Sequence, residues 1–83
     1  MFVTYILFSE KLNRFYVGHT RDIEQRLVRH NNKYSLATKA GVPWKLVYYE
    51  TFSTKSLASR REREIKARKS AQYIRKLIAA QLV

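Results

Sequence analysis

The sequence contains no cysteine, one proline, two glycines and few acidic residues. Without cysteine there is no disulfide, no thiolate metal site and no cysteine nucleophile, so the core depends on apolar packing alone. No apolar run approaches the roughly 18 residues that a membrane span needs. The N-terminal run 1–8 has neither a basic start nor a small-residue cleavage site, so a strand is expected there instead of a leader. We therefore expect no membrane partner and a cytoplasmic location.

What the chain has in excess is positive charge. Its 83 residues include 17 Lys and Arg against 6 Asp and Glu, a formal net charge of +11. Because 46% of the residues are hydrophobic and 13% aromatic, the chain is too apolar for a disordered basic tail, and a single folded domain over residues 1–83 is expected. The charge points to a polyanionic partner, either nucleic acid or an anionic membrane surface. A lipid-binding helix would expose bulky apolar residues, whereas the apolar stripes here are expected to pack on a sheet.

The hydrophobic pattern predicts three strands and three helices in the order ββαβαα, an α+β fold with a three-stranded antiparallel sheet flanked by helices. The strands are predicted over 2–9, 14–19 and 44–52, with a loop over 32–43. The first helix is expected to begin at a cap formed by Thr20 or Asp22 and to end at Asn31, and the second to begin at Ser53 or Thr54 and to end near Lys69. Ser70 starts a third helix, whose apolar stripe is Ile74, Leu77, Ile78 and Leu82.

Glu62 is an acidic residue at a position where packing favours carbon. On the second helix Ala58, Glu62 and Ile65 are spaced i, i+4 and i+7, which puts the carboxylate at the edge of the face toward the sheet. Glu64, in contrast, has an arginine one turn away on either side and is expected in a solvated ion-pair ladder. Two interpretations of Glu62 stay open: an ion pair with one of the many arginines, or a ligand for a hard cation such as Mg²⁺.

Further candidates lie on the first helix and the first two strands. Arg26 and His30 are one helical turn apart beside the apolar stripe; the arginine is suited to clamping a phosphate, and the histidine either relays a proton or is a polar helix-end residue. Tyr5 and Tyr16 are expected side by side on neighbouring strands, either as packing or as groups that act on water. Gly18 ends the second strand, where the absence of Cβ permits a close approach.

Several ordered motifs make the sequence similar to the GIY-YIG nuclease domain, over nearly the whole chain. Val3-Thr4-Tyr5 and Tyr16-Val17-Gly18 stand where the two tripeptides of the family would be, and Arg26 falls at its arginine on the first helix. Stretches 30–31, 43–50 and 58–66 resemble the HN, PWxLVYxE and AxxRExxIK motifs of small single-domain members. In this alignment Glu62, not Glu64, matches the metal-binding glutamate, which agrees with the helix-face argument.

The resemblance implies a metal-dependent endonuclease that hydrolyses DNA phosphodiesters in repair, recombination or processing. It implies one Mg²⁺ or Mn²⁺ ion on Glu62, with Arg26 holding the scissile phosphate. Tyr16, helped by Tyr5 or His30, would orient or deprotonate the attacking water. The implied partner is duplex, branched or single-stranded DNA, and a monomer is favoured.

The resemblance also implies substrate contacts from Gly18, His19, Arg61 and Lys66. The chain departs from the family pattern at Val3, where relatives carry glycine, and at His19, where some repair-type relatives carry lysine. The alternative function is a basic module that binds DNA or RNA without cutting it. The nuclease and the non-cutting module can be distinguished at Glu62, because an acidic side chain weakens pure phosphate binding but is required for metal-dependent cleavage.

Overall fold

A computed structural model describes residues 1–33 and 36–81 of the protein. The elements follow the predicted ββαβαα order: β1 (Phe2–Ser9), β2 (Arg14–Thr20), α1 (Ile23–Asn31), β3 (Trp44–Phe52), α2 (Lys55–Arg68) and α3 (Ala71–Gln81). The predicted loop over 32–43 also contains a short 3₁₀ turn, Lys39–Gly41. Leu82, predicted for the apolar stripe of the last helix, lies outside the described residues. Nowhere in the described chain is there a helix long and apolar enough to cross a membrane.

Local side-chain chemistry decides where the helices begin and end. Asp22, not Thr20, caps α1 by accepting a hydrogen bond from the backbone N–H three residues on, and Thr54, not Ser53, does the same for α2. Lys69 ends α2 in the left-handed region, with φ of 48°. These caps satisfy backbone groups that the helix itself leaves unpaired.

The sheet has the strand order β2-β1-β3, and both pairs are antiparallel. Its register places Tyr5 directly opposite Gly18 and Thr4 opposite His19. Since successive side chains point to opposite faces, Tyr5 and Tyr16 share one face of the sheet, and His19 lies on the other.

Each face of the sheet has its own core. On one face α1 covers a cluster formed by Val3, Tyr5, Leu7 and Trp44, with Ile23 and Leu27 packed against it. On the other face α2 and α3 cover a cluster formed by Ile6, Val17, Tyr48, Ile65 and Ile74. The predicted apolar faces of all three helices are therefore used against the sheet.

One predicted surface feature is wrong. Glu64 is exposed, and within the described residues it forms no ion pair with Arg60 or Arg68. Such exposed pairs stabilise a helix by only a few tenths of a kcal/mol, about as much as ordering the long side chains costs.

Candidate active site

Gly18 leaves room for the side chain of Tyr5, which lies where a Cβ atom at this position would be. A Cβ atom at this position would lie 2.6 Å from the Tyr5 hydroxyl oxygen and 2.8 Å from Cζ. The Tyr5 residue is only 1% exposed, so its ring has little room to move away. The close approach that the sequence allowed for at Gly18 is thus made by a side chain of this chain.

His30 is buried beneath Tyr5 and linked on both ring nitrogens. Its Nε2 lies 3.1 Å from the Tyr5 hydroxyl oxygen, and its Nδ1 lies 2.7 Å from Oγ1 of Thr38. Burial, followed by the nearby Arg26 and Arg29 guanidinium groups, lowers the His30 pKa. A neutral imidazole has one donor and one acceptor nitrogen, which matches two hydroxyl partners.

This placement corrects the interpretation of His30 as a solvated polar residue at the helix end. The residue is 2% exposed, because the last turn of α1 presses against the sheet. It therefore does not face solvent at the end of α1, and its role as a proton relay stays a prediction. What it does in this geometry is hold the hydroxyl of Tyr5.

Thr38, which the sequence did not single out, supports His30 from the loop that follows α1, and Asn31, the last residue of that helix, holds the start of β3. Thr38 is fully buried, and its carbonyl oxygen accepts a hydrogen bond of 2.7 Å from the Trp44 indole N–H. The Asn31 side chain accepts from the Trp44 backbone N–H at 2.6 Å and donates to the Trp44 carbonyl at 3.1 Å. Trp44 is a core residue in this arrangement. Asn31 carried a signal, since it belongs to the matched 30–31 pair, but Thr38 carried none.

Tyr16 lies beside this buried chain and is partly exposed. Its ring centroid is 6.5 Å from that of Tyr5 and 5.0 Å from that of His30. Burial raises the Tyr5 pKa, Tyr16 adds to the increase, and the Arg26 guanidinium opposes it without cancelling it. Tyr5 therefore keeps its proton, and Tyr16 is the tyrosine of the pair that solvent reaches.

A basic cleft of about 510 Å³ lies at the end of β2. Its lining comprises Phe2, His19, Thr20, Arg21, Arg26 and Lys55. Arg26 reaches it from α1, on one side of the sheet, and Lys55 from the start of α2, on the other. The fold thus brings the predicted Arg26 and His19 to one concave surface, which we call the catalytic cleft.

Glu62 is attached to this cleft through His19. Its Oε1 accepts a hydrogen bond of 2.6 Å from Nδ1 of His19, and its Oε2 accepts one of 2.6 Å from Nζ of Lys66. Burial would raise the pKa of Glu62, whose side chain is 18% exposed, but Lys66 and His19 outweigh it and lower the pKa. Glu62 therefore stands ready as a carboxylate. Its ion-pair partners within the described residues are His19 and Lys66, and not an arginine as the first interpretation expected.

Arg61 is not brought to the catalytic cleft. Its Nε donates to Oε2 of Glu50 at 2.9 Å and its Nη1 to the Tyr73 hydroxyl at 3.3 Å. The Tyr48 hydroxyl donates to the same Glu50 oxygen at 2.6 Å, and burial together with Glu50 raises the pKa of Tyr48 to about 12. Arg61 thus ties α2 to β3 and α3, and its predicted contact with substrate stays a prediction.

The donor set around Glu62 decides which metal it suits. In residues 1–33 and 36–81 no three His, Asp or Glu side chains gather into a ligand cluster, so a cage of protein ligands is not present there. One carboxylate with waters in the other positions is a common arrangement for Mg²⁺. Lys66, which covers Oε2, has half of its side chain exposed and can swing aside. Glu62 therefore fits a hydrated hard cation better than a fully enclosed one.

Relatives and a solved structure share this chain's pattern. A UPF0213 protein of Staphylococcus saprophyticus is 51% identical over 55 residues, which cover 61% of this chain and 63% of that protein. One of Staphylococcus haemolyticus is 49% identical over 57 residues, covering 68% of this chain and 70% of that one. The chain thus spans less than two thirds of the first of these relatives. The solution NMR structure of a UPF0213 protein from Bacillus halodurans superposes with a TM-score of 0.59 at 29% identity, covering 96% of this chain and 85% of that one.

The sequence profile described as the GIY-YIG catalytic domain matches residues 1–76. This range contains Arg26, which lines the catalytic cleft, Glu62, which is linked to the cleft through His19, and the neighbouring cluster of Tyr5, Tyr16 and His30. A GIY-YIG domain suggests a nuclease-type hydrolase and a nucleic-acid substrate. With 76 of its 83 residues matched, the chain belongs to the GIY-YIG family.

Proposed function

We propose that the protein is a divalent-metal-dependent endonuclease that hydrolyses DNA phosphodiester bonds. The observation that carries the proposal is the catalytic cleft, where the cationic side chains of Arg21, Arg26 and Lys55 meet His19, which in turn holds the carboxylate of Glu62. Cations alone would serve phosphate binding. A half-buried, ionised carboxylate beside them weakens phosphate binding, but it is what metal-dependent hydrolysis needs.

Arg26 is the phosphate ligand in this proposal. Its side chain is exposed, lines the catalytic cleft and lies near the Tyr5 hydroxyl. A guanidinium presents parallel N–H donors that match two phosphate oxygens. Negative charge builds up on these oxygens during phosphoryl transfer, so a fixed Arg26 stabilises the transition state more than the ground state.

Glu62 would hold Mg²⁺ or Mn²⁺ after Lys66 moves off Oε2. When bound, the ion supplies Lewis-acid polarisation of the phosphate and stabilisation of the leaving 3′ oxygen. His19 keeps its hydrogen bond to Oε1 and so orients the carboxylate from the second side. Outer partners of this kind typically change metal affinity or activity by about 10- to 100-fold.

Tyr16 would orient or deprotonate the attacking water. It is the exposed member of the tyrosine pair, whereas the Tyr5 hydroxyl is buried on His30 and holds its proton. Tyr5, His30 and Thr38 then act as a rigid support whose packing fixes the Tyr16 ring. In this proposal Tyr16 acts on water and Tyr5 supports it, whereas the sequence did not distinguish the roles of the two tyrosines.

DNA in a cytoplasmic repair, recombination or processing pathway is the proposed substrate. The net charge of +11 favours any phosphate backbone, and proteins distinguish RNA from DNA through the 2′-hydroxyl. The proposal therefore commits to phosphodiester hydrolysis by the residues above, with DNA as the substrate to test first.

The test is cleavage of supercoiled plasmid and of single-stranded DNA by the purified chain with Mg²⁺, Mn²⁺ or EDTA. Arg26→Gln is compared with Arg29→Gln, which removes the same charge from the same helix outside the catalytic cleft. We expect cleavage only with metal, a large loss in Arg26→Gln and near wild-type rates in Arg29→Gln.

The same preparations separate a nuclease from a non-cutting binder. Trace activity that is equal with metal and with EDTA, and equal in both variants, would refute the nuclease. Binding that weakens with salt would then favour the non-cutting module, because each neutralised phosphate contributes about −0.9 to the slope of log binding constant against log salt concentration on duplex DNA.

A further inference from the structure

A second cleft, of about 300 Å³, lies on the opposite face of the sheet from α1, between the β1–β2 turn, the end of α2 and the start of α3. Its floor is apolar and its rim is cationic. The floor is formed by Phe15, Val17, Ile65 and Ile74, and the rim by Arg14, Lys66, Lys69 and Arg75. None of the residues lining it, all within the described chain, is acidic. We call this the flanking cleft.

The flanking cleft continues the catalytic cleft along β2. Lys66 lines the flanking cleft and donates to Glu62, which in turn accepts from His19 in the lining of the catalytic cleft. Phe15 and His19 share a sheet face four residues apart, which is about 13 Å at roughly 3.3 Å per residue. The flanking cleft therefore lies within a few nucleotides' length of the catalytic cleft.

The chemistry of the flanking cleft suits a nucleobase as well as phosphate. The Arg75 guanidinium carbon lies 5.8 Å from the centroid of the partly exposed Phe15 ring. Bases stack on aromatic rings and on guanidinium planes in proteins that bind single strands. A volume of about 300 Å³ is at the small end for ligand pockets, enough for one base and far too small for a base pair within a duplex.

We propose that the flanking cleft receives one unpaired base of the substrate strand, with the neighbouring phosphates on its cationic rim. The proposal rests on the proposed nuclease function and narrows its substrate to DNA with a single-stranded or branched segment within a few nucleotides of the cut. A fully paired duplex offers no free base to this cleft and so uses only the rim.

The test is fluorescence anisotropy with a labelled single strand of about 14 nucleotides, the full chain and EDTA, so that nothing is cut. Phe15→Leu is compared with Phe8→Leu. Both disturb the Phe8–Phe15 ring pair, whose centroids are 5.0 Å apart, but only Phe15 lines the cleft. Arg75→Gln is compared with Lys76→Gln, its exposed neighbour on α3, which lies outside the cleft.

We expect Phe15→Leu to weaken binding about fivefold or more beyond Phe8→Leu, the loss of one base stack. This difference should vanish on a strand of abasic sites and on blunt duplex. Arg75→Gln should weaken binding of the normal strand more than Lys76→Gln does. Equal affinities within each pair, or a Phe15 difference that persists on the abasic strand, would overturn the flanking cleft.

Two controls allow the binding result to be interpreted. Circular dichroism melts establish that each variant is folded. If Phe15→Leu is unfolded, the comparison of Arg75→Gln with Lys76→Gln decides alone, and equal losses of binding affinity in these two variants would refute the proposal. Cleavage by the wild-type chain is measured separately with Mg²⁺ and Mn²⁺. If the wild-type chain cuts no DNA but the binding differences within the pairs remain, the nuclease function is refuted and the flanking cleft is not. Failure of the proposed function is thus distinguishable from failure of the base-binding proposal.

Discussion

Replacing Thr38 with valine should lower the free energy of unfolding by about 1–3 kcal/mol. Valine is close in shape to threonine, so the substitution opens no cavity, but it removes the hydroxyl that lies 2.7 Å from Nδ1 of His30. Both residues are almost completely buried, so no water can replace the lost partner. The expected cost is that of leaving a buried polar group unpaired.

Urea denaturation measures this cost, with the slope m expected to stay unchanged because the surface exposed on unfolding is the same. The melting temperature should fall by roughly 4–8 °C per kcal/mol for a domain of this size. A double-mutant cycle with His30→Leu isolates the hydrogen bond from other effects of the valine. In the His30→Leu background the hydroxyl of Thr38 has already lost its partner, so Thr38→Val should cost little or nothing. An equal cost in both backgrounds would refute the buried chain from Tyr5 to Thr38.

Three further predictions concern other contacts. Gly18→Ala should destabilise the protein by about 1–3 kcal/mol, the usual cost of overpacking, because its Cβ would collide with the fixed Tyr5 ring; a urea midpoint equal to wild type would contradict this. Burial lowers the pKa of His30 in the folded protein, so below about pH 6.5 the unfolded chain binds more protons than the folded one. The contribution of His30 to the free energy of unfolding is therefore complete above that pH and is lost as the pH falls toward the pKa of the folded protein. The melting temperature should therefore drop more between pH 7 and 5 in wild type than in His30→Leu, and parallel curves would count against it. Gln81 accepts from the Tyr49 N–H at 3.3 Å and donates to its carbonyl at 2.6 Å, covering the outer edge of β3, so Gln81→Ala should cost up to about 1.5 kcal/mol and promote concentration-dependent association in sedimentation, as open strand edges do.

The fold could be predicted because each element has a local cause. Alternating β-branched and aromatic residues mark the strands, and the three-to-four-residue spacing of apolar residues marks the helices. The same spacing put Glu62 at the edge of a buried face, and the structure places it there, between Ala58 and Ile65, which are both buried.

The partners of the site residues could not be predicted, because they are set by how the elements dock. Arg61 and Glu62 are adjacent in sequence, yet one turns to Glu50 on β3 and the other to His19 on β2. Their direction depends on the rotation of α2 on the sheet, which spacing alone does not fix. Thr38 was missed for a similar reason: its loop has no periodicity, and its importance arises only once α1 delivers His30 to it.

Glu62 is the residue on which the account of function depends most directly. The decisive measurement is the rate of plasmid nicking by wild type, Glu62→Gln and Glu64→Gln with Mg²⁺, each variant first shown to melt cooperatively. Both substitutions remove one carboxylate from α2, but Glu64 is exposed, whereas Glu62 is hydrogen-bonded to His19 of the catalytic cleft. A metal-dependent nuclease built as proposed nicks DNA at near wild-type rates in Glu64→Gln and shows no nicking above the EDTA background in Glu62→Gln. Equal rates in the two variants would contradict the assignment of Glu62 as the metal ligand.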